Sequence, residues 1–351
     1  MRAAIAGLGM WLPETVREND AWPDALLEAA KRGDRTLVDV PRATDWVDAI
    51  TQRHLARDAG DPFVGARRRH VATDEAAWDA EARAGRAALE DASLEADQLD
   101  AVLSWSIVTD RPLLPTATKV AHALGATRAW GAGFDAGCAS AITGLDVAAG
   151  LIESGRARHV LLTQSHLITR AFPMSHPAAP GVGDCATAMV VSASERPGVL
   201  TCFAASHGAH WDAVTWVRGR DDESDPPWWK AGGDYGPGSR APEGAKGLMQ
   251  NTVRFGVETC AAALERAHLD ASEISALASV QPRGWIPEAI AEGLGVAHAP
   301  TTFTRLAHVG GCGVVANLIE ARRHGHAAPD RNVLLYAQGA GFTRAAAIVR
   351  F

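Results

Sequence analysis

An α/β protein assembled from two similar halves is the fold class this sequence predicts, on three observations. Apolar runs of strand length alternate with Ala-rich segments of helical period along most of the 351 residues. The order of those segments is repeated in the second half. Two phrases also recur: "GRARHVLLTQS" against "PDRNVLLYAQG", and "DAGCASAITGLDVAAGLIESG" against "HVGGCGVVANLIEARRHG". Alternating strands and helices argue for parallel or mixed sheets covered by helices. Internal repetition outweighs any single motif here as an architectural signal.

In chain order, residues 3–13 read as a buried strand and turn, and 21–65 as helices and loops of weak period. A helix over 76–92 follows, with Thr73 and Asp74 as cap candidates. A buried strand over 100–108 and a helix over 115–125 come next. Residues 130–155 read as strand, turn and helix, leading into a buried strand over 159–165. The second half offers a helix at 252–267, a strand at 274–281, a helix at 287–295, a turn and helix at 308–325, and a strand at 332–339. The expected division is an N-terminal half, 1–195, and a C-terminal half, 196–351. Only 207–247 breaks the pattern. Its Gly, Pro, Asp and four tryptophans (Trp211, Trp216, Trp228, Trp229) favour an ordered cover over a ligand groove above a plain connection.

Composition narrows the function classes. Apolar residues are 47% and charged residues 21%, ordinary for a soluble globular chain. The net charge of -7, with no basic run beyond 66–70, argues against nucleic acid as a partner. No stretch approaches the roughly 18 apolar residues of a membrane span, and the N-terminal apolar run is too short for a signal peptide. The five cysteines (138, 185, 202, 260, 312) form no CxxC pair. Reduced thiols in cytoplasm are expected, with no disulfide framework and no metal site.

Cys138, in "FDAGCASAITGL", sits where an extended segment turns into an Ala-rich helix. A helix N-terminus carries partial positive charge, which favours thiolate. Its free backbone N–H groups can point at an oxyanion beside the sulfur. Gly137, Ala139 and Ser140 leave room for a substrate. The alternative is a buried structural thiol.

These residues resemble the beta-ketoacyl-ACP synthase III group of the thiolase superfamily over nearly the whole chain. The resemblance rests on "FDAGCASAITGL", "GDCATAMVV" (183–191), "LLPTATKVAHALGA" (113–126) and the terminal "GAGFTRAAAIVRF" (339–351). It implies a thiolase fold, a five-layer α-β-α-β-α arrangement of two duplicated halves, in a homodimer. It makes Cys138 the acceptor of an acyl group from CoA or a carrier protein, with an oxyanion hole from the amides of Cys138 and Ala340. No cofactor is implied, because the acyl-CoA or phosphopantetheine-bound acyl group is itself substrate.

Two departures stand out. The family completes its site with a His from a HQAN-type segment and an Asn from a GNT-type segment, which bind the malonyl carbonyl and promote decarboxylation. Aligned on the helices that follow, the His position is Val280, succeeded by Gln281, and the Asn position is His308. Valine can neither give nor accept a proton. A neutral His can serve as general base, so His308 is expected to be the one titratable partner of Cys138. A structural loop histidine is the alternative. Cys312, at the place equivalent to Cys138, reads as packing.

Around this centre, Trp46 is similar to the family tryptophan that stacks on the CoA adenine. The basic residue that follows it in the family is Ile50 here, which makes a carrier-protein donor more plausible than CoA. Arg67, Arg68 and Arg69 are either phosphate contacts or a solvated charge run. Leu113 and Leu114 precede Pro115 in the segment that closes the acyl pocket across the family dimer. Gln281 and Arg283 are expected to shape the acceptor site, with Trp285 either beside them or in the core. The leading reading is an acyltransferase of secondary metabolism, moving an acyl group through Cys138 to a small-molecule hydroxyl, amine or thiol. A decarboxylating ketosynthase and a non-catalytic partner subunit are the alternatives.

Overall fold

Two sheets with one shared strand order organise the chain. The computed structural model describes residues 1–28, 45–58, 60–111, 113–171, 174–218 and 235–351. The first half runs β1 (Arg2–Trp11), β2 (Val16–Glu18), α1 (Trp46–Asp58), β3 (Arg68–His70), α2 (Ala77–Ala92), β4 (Ala101–Ser106), α3 (Thr116–Leu124), β5 (Trp130–Gly133), α4 (Ser140–Glu153), β6 (His159–His166) and β7 (Cys185–Ser194). The second runs β8 (Val199–Ser206), β9 (Thr215–Arg218), β10 (Tyr235–Gly238), α5 (Pro242–Gln250), α6 (Thr252–Ala267), β11 (Ile274–Ser279), α7 (Ile286–Leu294), α8 (Phe303–Leu306), α9 (Cys312–Arg323), β12 (Asn332–Gly339) and β13 (Thr343–Arg350).

The first sheet is ordered β1-β7-β6-β4-β5 and the second β8-β13-β12-β11. In both, parallel pairing at one edge gives way to antiparallel strands toward the other. β5 has no counterpart among the described strands of the second sheet. Helices α4 and α9 lie between the sheets and touch both, whereas α2 and α3 cover one outer face and α6 and α7 the other. The layers are therefore α-β-α-β-α, the thiolase architecture.

Sequence explains why the central helices go inside. In α4, Ser140, Ala141, Ile142, Gly144, Leu145, Ala148, Ala149 and Ile152 are all buried. A helix apolar over most of its circumference needs a layer on both sides.

Outside the centre the structure sharpens one expectation and corrects another. α1 is one continuous helix within the region read as helices and loops of weak period. Its buried stripe, Val47, Ile50, Thr51, His54 and Leu55, has helical spacing, but two polar members hide it from an apolar count. The start of α2 is capped by neither Thr73 nor Asp74. The Asp110 carboxylate accepts the N–H groups of Ala77 (2.8 Å) and Trp78 (3.2 Å) instead, a tertiary cap no local pattern reveals.

On the inner face of α2, Glu81 is fully buried and accepts hydrogen bonds from four hydroxyls, those of Ser104, Ser106, Thr163 and Ser165, at 2.6–2.8 Å. Burial raises its carboxyl above the usual range, against the pull of those donors. Of the 207–247 insertion, β9 and β10 pair as a hairpin that includes Trp216, and Trp211 is exposed. Trp228 and Trp229 lie outside the described residues. No helix among the described residues is long and apolar enough to cross a membrane.

Candidate active site

Cys138 lies in the turn between β5 and α4. The Asp135 carboxylate holds that turn by accepting the Gly137 N–H and the Trp105 indole N–H, both at 2.8 Å. Ser140 Oγ accepts the Ala136 N–H at 2.8 Å. The sulfur is half-buried, and burial pushes its thiol up to about 12, with Cys312 nearby adding to the shift. The amides of Gly311 and Cys138 act in the opposite direction without offsetting it. A helix terminus contributes only about 0.3–1 kcal/mol, and desolvation of the sulfur exceeds it. The resting group is a thiol that must lose its proton as it attacks.

The end of β12 closes on this turn. A Cβ placed on Gly339 would stand 2.7 Å from the Cys138 nitrogen and 2.4 Å from the Ala136 oxygen. Only a bare α-carbon permits that approach. Ala340 follows at an exposed position in a short 3-10 turn, Ala340–Phe342. The backbones of Cys138 and Ala340 therefore meet, an arrangement from which two amides can polarise one carbonyl oxygen.

His308 arrives from the second half on a pinned backbone. Its N–H donates to Gly181 O (2.9 Å), and its carbonyl accepts the Gly183 N–H (3.0 Å). The residue before it, Ala307, has φ 59° and ψ -156°, a conformation essentially reserved for glycine that costs about 1–3 kcal/mol in other residues. Ala307 is the position aligned with the glycine of the family's GNT segment, so the strained backbone supports pairing His308 with the family's Asn. His308 Nδ1 is 3.1 Å from Gln281 O. A carbonyl only accepts, so Nδ1 carries the proton and Nε2 the lone pair. Burial lowers the imidazole to about 4, leaving it neutral at pH 7.

A second imidazole was missed in the sequence. His166 ends β6, with Nδ1 3.0 Å from Gly183 O, so it too keeps Nε2 as an acceptor. Burial, with His308 beside it, lowers it to about 3. The two rings meet edge to face with centroids 5.5 Å apart. Gly310, at φ 54°, makes room: a Cβ there would lie 2.3 Å from His166 Cδ2. His308 thus has an imidazole neighbour that the sequence did not suggest. The available signal was the strand read as ending at residue 165, since binding groups gather at the C-terminal ends of parallel strands.

The segment that lost the family His faces the core. Val280 is buried, and Gln281 is wholly enclosed. Its amide donates to Thr302 Oγ1 and Ala307 O and accepts from Thr301 Oγ1 and Asn317 Nδ2. Arg283 is buried as well, and Trp285 stacks on His54 at 5.4 Å. Gln281 is therefore corrected from an acceptor contact to a structural group, its amide fully used.

Arg69 is likewise no phosphate contact. It is buried, bonds Asn19 Oδ1 and Pro180 O, and stacks over Trp22. Trp46, Leu113 and Leu114 are exposed. Cys312 is buried, its thiol facing the carbonyls of Cys185 and Gln164 at 3.4 and 3.5 Å.

Comparison with known proteins shows the family. The signature of 3-oxoacyl-[acyl-carrier-protein] synthase III matches residues 134–208, and that of its C-terminal domain matches residues 264–351. A beta-ketoacyl-[acyl-carrier-protein] synthase III of Granulibacter bethesdensis is 30% identical over 99% of this chain and 99% of its own.

The chain belongs to the synthase III family.

A synthase III of Roseiflexus sp. is 29% identical over 99% of this chain and 98% of its own. Among solved synthase III structures, that from Aquifex aeolicus superposes with a TM-score of 0.78 at 22% identity, covering 99% of this chain and 100% of that one. OleA from Xanthomonas campestris shares the fold at a TM-score of 0.75 and 19% identity, covering 100% of this chain and 97% of that one. The synthase III family is one of acyl-transferring and condensing enzymes, named as 3-oxoacyl-[acyl-carrier-protein] synthases.

Proposed function

We propose that this synthase III homologue is an acyltransferase that carries an acyl group, through a thioester on Cys138, to a hydroxyl, amine or thiol of a small molecule. The observation that carries the reading is the tautomer of His308. With its Nδ1–H committed to Gln281 O, the free Nε2 presents a lone pair. Decarboxylative condensation needs donors around the thioester carbonyl as it becomes an enolate, and a lone pair repels that oxygen. With Val280 at the other family position, no donor replaces it. A lone pair is, however, what a proton acceptor requires.

In this reading, Cys138 attacks the donor thioester while His308 Nε2 takes the thiol proton. The Cys138 and Ala340 amides hold the oxyanion, and the proton passes to the departing donor thiol. The acceptor then attacks the acyl-cysteine, and the sulfur is released as thiol. The donor is a carrier-protein or CoA thioester, with the exposed Trp46 as the base-stacking residue. The exposed Leu113 and Leu114 suit a homodimer contact at the acyl pocket. Secondary metabolism in the cytoplasm is the setting that fits.

Intact-protein mass spectrometry after mixing with acyl-CoA and acyl-carrier thioesters tests the proposal. One adduct is expected, lost in Cys138→Ala. No adduct with any donor would overturn it. The relatives from Granulibacter bethesdensis and Roseiflexus sp. are named synthases, which favours decarboxylative condensation as a second reading. Carbon dioxide release from a malonyl thioester would select it.

A further inference from the structure

Building on acyl transfer through Cys138, we propose that His166 is a second proton carrier of the site, serving the incoming acceptor while His308 serves Cys138. Side chains two apart on a strand share a face, so Gln164 and His166 of β6 point together toward the loop 308–312. Thr163 and Ser165 point the other way, to Glu81.

Gln164 Nε2 donates to Gly311 O (3.2 Å) and Thr187 Oγ1 (3.0 Å). Because a carbonyl only accepts, the amide orientation is determined, and Oε1 is left buried without a donor among the described residues. Gly311 also packs on the Cys138 backbone: a Cβ there would lie 2.9 Å from both Cys138 O and Gln164 Oε1. His166 packs against the neighbouring Gly310. One face of β6 thus offers two acceptors, Gln164 Oε1 and His166 Nε2, beside the nucleophile's loop. A group bearing O–H or N–H can donate to such an acceptor, and an incoming hydroxyl, amine or water is such a group.

The chemistry balances with one proton per half-reaction. In the first, His308 moves the Cys138 proton to the departing donor thiol. In the second, His166 Nε2 takes the acceptor proton as its oxygen or nitrogen bonds the acyl carbon. The C–S bond breaks, and the same proton passes to the departing sulfur. Both imidazoles end neutral.

The test loads the enzyme with p-nitrophenyl acetate and uses water as acceptor. Nitrophenolate release reports acylation, and loss of the acetyl mass reports transfer. His166→Phe should acylate within about three-fold of wild type and release acetate about a hundred-fold more slowly. His166→Gln, whose amide can still donate to Gly183 O, should fold and show the same split. Added imidazole should restore release in His166→Ala and leave wild type unchanged. Gln164→Leu should also slow release more than acylation.

Normal release in a variant that acylates normally would overturn the assignment, as would an equal loss of both steps. Failure of imidazole to rescue a folded His166→Ala would do the same. Absence of any Cys138-dependent acetyl adduct in wild type would instead overturn the acyl-transfer reading.

Discussion

Replacing His308 with Asn, the family residue of similar size, should weaken the acid sensitivity of the fold by a calculable amount. His308 titrates near 4 in the folded chain against an ordinary 6.5. Between those values the unfolded chain binds the proton and the folded chain does not. Stability from this group is therefore complete above about pH 6.5 and falls as pH drops toward 4. At pH 5 the loss is about 2 kcal/mol, from the ratio of protonation terms at 1.36 kcal/mol per pKa unit. Asn carries no such proton. Urea unfolding of wild type and His308→Asn at pH 7.5 and pH 5, with equal slopes, would isolate this group from other buried titrations. The variant should lose about 2 kcal/mol less than wild type between the two conditions. An identical loss would refute the placement of a neutral, buried imidazole at this site.

Further outcomes follow from the same geometry. With both imidazoles lowered by burial to about 4 and about 3, the acylation rate should be flat from pH 8 to about pH 5. An inflection near 6.5 in stopped-flow acylation would show that neither lowered imidazole is the base. Gly339→Ala puts a methyl 2.7 Å from the Cys138 nitrogen and should slow acylation by about a hundred-fold or more through the displaced oxyanion amide. Near-normal acylation with an unchanged melting curve would contradict that. Glu81→Gln leaves the four hydroxyls one acceptor oxygen fewer and should cost about 2–4 kcal/mol in urea unfolding at neutral pH.

Much of this was legible in the chain because it is local or repeated. Strand and helix order follow from period, and the two halves from recurring phrases. Cys138 is marked by small residues at a strand-to-helix turn, and the Val280 and His308 exchanges by their place before recognisable helices. Other features were not legible. Gln281 looked like a site residue in an altered motif, yet Thr301, Thr302, Ala307 and Asn317 consume its amide. His54 and Thr51 hid the buried face of α1. His166 became visible only when the Gly183 carbonyl and the bare α-carbon of Gly310 were brought to it.

The sequence by itself determined the fold class and singled out Cys138 as the candidate nucleophile, with Val280 and His308 as the candidate exchanges for the family's His and Asn. Tertiary structure alone decided the chemical state of those groups. Whether a sulfur is thiol or thiolate, and which imidazole nitrogen holds a proton, depends on burial and on carbonyls supplied by distant segments. A tautomer is set by its partner rather than by its own side chain. That is why the loop around His308 could be found by reading, but its role as an acceptor could be argued only from the folded chain.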